Sequence, residues 1–252
     1  MKLPQGVKMV IPNVVTLTGL SLGVVSILLS IHGRYIDAAW FIVLCCLFDK
    51  LDGTVARLLD ATSDIGLQLD SLSDLVTFGI APGILVYCHF TYSVFQAETV
   101  SPLFVWSLRV SVFALVIASA VRLARFNVTT TKVPEGYFQG LPTTLCGGII
   151  AVLALTLEKY DVSGIALNAF PFYIILLSFL MVSRIPLPKF KRRRNKFVDW
   201  FQTINLVIGY VFGILRLFPE YLLFMALFYT VFGFSYSLLH KKSIEARQDE
   251  PA

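Results

Sequence analysis

Apolar side chains fill long stretches of this chain, and short polar breaks carrying glycine, proline or charge separate them. The runs lie near 13–31, 35–58, 68–92, 103–126, 140–158, 165–183, 202–217 and 219–239. Most approach the roughly 18 to 25 residues with which a helix crosses a hydrocarbon layer about 30 Å thick. The pattern therefore predicts eight helices, the last two forming a tight hairpin through Pro219. The first run follows a short polar lead with Pro4 and Pro12 and has no small-residue cleavage site, so it is expected to remain as helix one.

Composition supports lipid as the solvent. Of 252 residues 56% are hydrophobic and only 15% charged, and the mean hydropathy is +0.75. Little chain is left over for a soluble domain. Cys45, Cys46, Cys88 and Cys146 fall in or beside apolar runs without CxxC spacing, which reads as packing. His32, His89 and His240 are dispersed, which argues against a histidine metal site or a histidine-based triad.

The net charge of +5 matters through its placement. With the N-terminus inside, the loops after even-numbered helices hold Arg122, Arg125 and Lys132, then Arg184, Lys189, Lys191, Arg192, Arg193, Arg194 and Lys196, then Lys241 and Lys242. The opposite loops hold little beyond Arg34, Lys159 and Arg216. This asymmetry predicts a multi-pass protein of the cell (inner) membrane with both termini cytoplasmic. The 189–196 run is one short loop without aromatic stacking platforms, so no nucleic-acid partner is expected. Against anionic headgroups, each basic residue contributes about 1 kcal/mol.

Charges inside apolar runs are costly, about 2.5 to 3.5 kcal/mol for an aspartate at a helix centre. Here Asp49 and Asp52 end one predicted helix, and Asp70 and Asp74 start the next. Spacings of three and four put each pair on one helix face, and consecutive helices let the pairs meet. The same spacing adds Gly53 and Arg57 to the Asp49 face and places Gly66 a turn before Asp70. Four neighbouring carboxylates repel unless neutralised, and such an oxygen-rich set suits Mg²⁺ or Mn²⁺, with room for two ions. Such ions would clamp a pyrophosphate and screen a leaving phosphate. Two other readings stand beside this one. The acids could pair with Lys50 and Arg57 in a solvated turn, or serve an ion-coupled transporter, although no second acidic cluster repeats in the C-terminal half.

The full pattern, Asp49-x2-Asp52-Gly53-x2-Ala56-Arg57-x8-Gly66-x3-Asp70-x3-Asp74, resembles the signature of the CDP-alcohol phosphotransferase family at every position. That resemblance implies an all-α polytopic membrane enzyme, a six-helix catalytic bundle that here carries two further C-terminal helices. The corresponding division is 1–12 as a cytoplasmic lead, 13–196 as the catalytic membrane domain, 197–240 as the helix pair and 241–252 as a cytoplasmic tail. It further implies a cytoplasmic active site and a homodimer. By the family's roles, Asp49, Asp52, Asp70 and Asp74 bind the metal, and Asp74 doubles as the base that takes the acceptor's hydroxyl proton. Asp52, Gly53, Ala56, Arg57, Gly66 and Asp70 shape the CDP pocket, with Asn13 and Thr16 contributing from helix one.

The acceptor is read from segments outside the signature. These are Val121 to Asn127, Phe138 to Thr144, Asp70 to Pro82, and Met181 to Pro186. They resemble the serine-using bacterial and archaeal branch of the family, which implies CDP-diacylglycerol and L-serine as substrates. Arg122 and Arg125, three apart at the end of helix four, are candidates to grip the acceptor, since a guanidinium binds a carboxylate through paired hydrogen bonds. A phosphate-bearing acceptor such as glycerol-3-phosphate or inositol phosphate would also suit paired arginines, and choline is a further alternative. Thr143-Thr144 departs from the small apolar residues expected after Gly140-Leu141-Pro142.

Overall fold

The computed structural model describes residues 5–59, 63–94, 101–129, 136–161, 168–189 and 196–240, with the side chains of 5–9, 55–57, 93–94, 129, 196–199 and 201 set aside. Within these bounds the chain forms α1 (Gln5–Ile31), α2 (Tyr35–Leu58), α3 (Asp64–Asp74), α4 (Ala81–His89), α5 (Pro102–Thr129), α6 (Thr143–Lys159), α7 (Phe170–Val182), α8 (Lys196–Leu215) and α9 (Pro219–Leu239). α3 and α4 belong to one rod, joined by a π-helical turn at Leu75–Ile80 and extended by another at Phe90–Val94. Eight rods thus stand where eight apolar runs predict them. The basic run at 190–195, Lys132 and the tail with Lys241 and Lys242 lie outside the described residues.

This is an all-α polytopic membrane protein. Among the described residues, four segments are long and apolar enough to span a bilayer by themselves: Val10–Ile31, Asp64–Tyr92, Pro102–Val128 and Pro219–Leu239. α2 carries its aspartates, α6 has 17 residues and α7 has 13. Large apolar side chains face outward, among them Phe113 at 68%, Phe179 at 71% and Leu239 at 82% exposure. Lipid tails accept such a surface, whereas water would not. Ser26 donates to the Ala38 carbonyl at 2.8 Å and Ser178 to that of Ile174 at 2.7 Å, so these two hydroxyls are satisfied without water.

α6 sits at the centre. Its Ile149 and Ile150 join Phe90, Leu108, Leu115, Phe170 and Ile174 in one buried cluster. Its Ala151, Val152 and Leu155 join Ile42, Phe78 and Leu85 in another. A glycine pair makes this double contact feasible. A Cβ on Gly147 would lie 2.8 Å from the Phe78 Cα, and one on Gly148 would lie 3.2 Å from the Cys46 Sγ. Gly147 therefore seats α6 on the π turn that follows Asp74, and Gly148 seats it on α2.

Helix periodicity did not anticipate one element, a two-stranded antiparallel ribbon. β1 (Tyr137–Gln139) pairs with β2 (Pro186–Pro188), with Phe138 opposite Leu187. Gly140 ends β1 at φ +71, and a Cβ there would lie 2.6 Å from the Met181 carbonyl and 2.7 Å from that of Ser183. Only glycine meets both conditions. α9 covers the ribbon, with the Tyr229 hydroxyl donating to the Pro188 carbonyl at 2.7 Å.

Candidate active site

α2 finishes, α3 begins and α6 begins at the same end of the bundle, so their polar residues converge there. Asp49 on α2 and Asp70 and Asp74 on α3 each direct a carboxylate oxygen to a common point, all within 4.8 Å of one another. The carboxyls of Asp49 and Asp74 thus face each other directly across the helix pair. Three hard oxygen donors at this spacing could hold a metal ion. The π turn starts one residue after Asp74. Such turns recur at functional sites because they re-aim side chains without ending the helix.

Asp52, 7% exposed, stands beside this triplet rather than within it. Its Oδ1 accepts from the Gly53 amide at 2.6 Å, and its Oδ2 lies 3.0 Å from the Thr16 hydroxyl. Thr16 also approaches the Pro12 carbonyl at 3.1 Å; having one proton, it serves one acceptor at a time. Helix one thus contributes through Asp52.

The glycine positions form the neighbouring wall. A Cβ on Gly53 would meet nothing within 4 Å, so the backbone there borders open space. Gly66 lies against Ser63, whose hydroxyl accepts from its amide at 3.0 Å as the N-cap of α3. A Cβ on Gly66 would sit 3.2 Å from the Asn13 Oδ1, which brings Asn13 to the start of α3. Ala56 and Arg57 continue α2 past Gly53, with side chains outside the described residues.

The two arginines of α5 part company. Arg122 is 7% exposed and donates from Nη1 to the Thr143 hydroxyl at 2.8 Å, while its buried Nε has no hydrogen-bond partner. It lies within electrostatic range of Asp74 and Asp49. Arg125 donates to the Val182 carbonyl at 2.7 Å and the Ser183 carbonyl at 3.1 Å, completing the C-terminus of α7. Farther along α5, Asn127 donates to Ser71 at 3.0 Å, tying that helix to α3 beside Asp70.

Thr143 and Thr144 open α6 inside the site. Thr143 accepts from Arg122, and Thr144 donates to Asp49 at 3.2 Å. Their departure from apolar residues was the only hint of this in the sequence.

A membrane bundle that gathers clustered carboxylates at one end, beside a glycine-lined opening and a buried arginine, defines an intramembrane enzyme of charged-group transfer. The chain belongs to the CDP-alcohol phosphatidyltransferase family, whose model matches residues 9–182. It is similar to a CDP-diacylglycerol–serine O-phosphatidyltransferase of Helicobacter pylori, 35% identical over 183 residues, covering 72% of this chain and 73% of the relative. A protein of the same name from Methanocaldococcus jannaschii is 30% identical over 223 residues, covering 88% of this chain and 92% of the relative. An archaetidylserine synthase of Methanothermobacter thermautotrophicus is 35% identical over 183 residues, covering 71% of this chain and 70% of the relative. The M. jannaschii similarity is too long to end at residue 182, so it includes part of the C-terminal helix pair.

Proposed function

We propose that this transferase moves the phosphatidyl group of CDP-diacylglycerol to the hydroxyl of L-serine and releases CMP. The observation that carries the reading is the convergence of Asp49, Asp70 and Asp74 within 4.8 Å, at the end of the bundle where Arg122 is buried. The three relatives support the acceptor, since the names of all three specify serine or a serine lipid.

In this reading Asp49, Asp70 and Asp74 hold a divalent cation, Mn²⁺ or Mg²⁺, with Asp52 supplying a further carboxylate and space for a second ion. Bound there, the cation neutralises phosphate charge and screens the departing CMP. The serine hydroxyl oxygen forms a bond to the phosphorus carrying diacylglycerol, and the bond from that phosphorus to the CMP oxygen breaks. The hydroxyl proton passes to the Asp74 carboxylate, which acts as general base. The glycine surfaces at 53 and 66, with Asn13, Thr16, Ala56 and Arg57, receive the cytidine diphosphate.

Arg122 takes the serine carboxylate, because its Nε is already desolvated and unsatisfied, a state that an anionic ligand relieves. Arg125 supports the acceptor site through the C-terminus of α7. The aspartate end faces the cytoplasm, in line with Arg122, Arg125, Arg184 and Lys189 on that side, and the protein works as a homodimer.

The test is CMP release by purified protein from CDP-diacylglycerol with a panel of acceptors. Serine plus Mn²⁺ or Mg²⁺ is expected to release CMP, and Asp74→Asn to abolish release. Release with inositol phosphate, glycerol-3-phosphate or choline, and none with serine, would overturn the acceptor assignment.

A further inference from the structure

Thr143 and Thr144 are adjacent, yet their side chains diverge toward different parts of the site. Residues one turn onward share their faces: Gly147 with Thr143 and Gly148 with Thr144. Gly148 abuts Cys46 of α2, and Thr144 meets Asp49 three residues farther along α2. Gly147 abuts Phe78, one turn beyond Asp74, and Thr143 meets Arg122 across from it. The close seat of the glycines holds α6 where both hydroxyls reach their partners. α6 starts directly after Pro142, which supplies no side-chain cap, so the two hydroxyls serve the site instead of their own helix end.

Resting on the function proposed above, we propose that Thr143 and Thr144 are a pair of positioning residues with separate duties. Thr144 holds Asp49 in its metal-binding orientation. Its hydroxyl donates to Oδ2 of Asp49, which fixes the orientation of the carboxylate that meets Asp70 and Asp74. Thr143 holds Arg122. By accepting from Nη1 it fixes the plane of the guanidinium and keeps Nε directed to the acceptor. One helix start thereby sets the distance between metal and acceptor, and apolar residues at these positions, as expected elsewhere in the family, would leave both partners unsupported.

The test compares Thr144→Val and Thr143→Val, which keep shape and remove the hydroxyl, with Thr144→Ser and Thr143→Ser, which restore it. Mn²⁺ binding to the full-length protein in detergent is followed by the loss of the free-ion electron paramagnetic resonance signal, without substrate. Groups that hold a metal ligand in place typically change metal affinity 10- to 100-fold. Thr144→Val should weaken Mn²⁺ binding about tenfold, at the low end of that range, and Thr143→Val should leave it unchanged. In the CMP-release assay Thr143→Val should raise the KM for serine about tenfold with kcat little altered, since a hydrogen bond to a charged group is lost. Both serine variants should return to wild-type values.

Equal Mn²⁺ affinity in Thr144→Val and wild type, or serine variants that behave like the valine variants, would overturn the proposal. So would a Thr143→Val effect on kcat alone. A wild type that releases no CMP with serine would overturn the acceptor assignment, while the Mn²⁺ measurement would still judge Thr144 separately. Each protein is first checked for a single symmetric gel-filtration peak; a valine variant that fails this is judged by the matching Ala variant.

Discussion

At the end of the bundle where α2 begins, Asp37 accepts from Arg34 at 2.6 Å and from Arg216 at 2.9 Å, and nearby Lys159 reaches Glu220 at 2.9 Å. Where α2 finishes, Asp49 instead meets the carboxyl of Asp74 and the hydroxyl of Thr144, and Asp52 meets a hydroxyl and an amide. There Asp37 and Glu220 are each paired with cations, and the Arg216–Asp37 and Lys159–Glu220 pairs clasp the C-terminal hairpin to α2 and α6. The second crowds carboxylates together with neutral donors. Charge at the far end holds helices in register. Charge at the aspartate end, in the function proposed above, is arranged for a cation that comes from solution.

The largest contrast should appear on neutralising one aspartate at each end. Asp74→Asn is expected to lower kcat for CMP release about a thousandfold or more, as loss of a general base costs 10²- to 10⁴-fold and the metal set is damaged as well. Asp37→Asn should leave kcat within about twofold, since exposed pairs contribute little. A comparable loss in both would mean that the two ends are not distinct in role.

Metal dependence gives the next largest effect. A chelator should abolish CMP release and Mn²⁺ should restore it. Mn²⁺ at about a hundred times its Kd should also stabilise the fold by about 2.7 kcal/mol, because only the folded chain assembles the site. The thermal shift on adding Mn²⁺ should persist in Asp37→Asn and vanish in Asp49→Asn. A shift that survives in Asp49→Asn would place the ion elsewhere.

The aspartate side of this contrast is legible in the sequence. The 3–4 spacing of Asp49, Asp52, Asp70 and Asp74 follows from helix geometry, and the apolar runs are long enough that their identity as helices hardly depends on tertiary context. Elements that arise only from packing were hidden. The π turn after Asp74 shows no mark in the periodicity, and the ribbon joins residues 137–139 to 186–188 across a long sequence separation. Arg122 and Arg125 look equivalent along the chain; only the position of α7 gives one of them carbonyls and leaves the other a buried Nε. The ion pairs of the far end were equally hidden, because Arg216 and Asp37 lie at opposite ends of the sequence.

Gly140→Ala probes whether the ends are independent. The added methyl would meet the carbonyls of Met181 and Ser183 in a backbone at φ +71. The left-handed conformation alone costs roughly 1–2 kcal/mol for a non-glycine residue. Since Arg125 binds this same run of carbonyls, the damage should spread to α5 and raise the KM for serine. Unfolding in denaturant should show the loss of stability. The hydrogen bonds of Asp37 lie at the other end of the bundle, so the effect of an Asp37→Asn change should add to that of Gly140→Ala without coupling.

The smallest expected effect is at the clasp itself. Arg216 sits at φ +55 in the α8–α9 turn and is 40% exposed at its side chain, as is usual for a pair at a membrane surface. Arg216→Ala removes one of the two cations on Asp37 and leaves Arg34 in place, so the change in stability should be about 0.2–1 kcal/mol and should shrink with added salt. Its diagnostic value lies in what stays constant. Mn²⁺ affinity and the KM for serine should match the wild type, because α9 would still be anchored through Tyr229 on Pro188 and Lys159 on Glu220, and α8 tied to it by the Tyr221 hydroxyl on Asn205. If Arg216→Ala weakened Mn²⁺ binding, the C-terminal hairpin would be setting the spacing of the aspartates through α2. The far end would then share in the chemistry of the other.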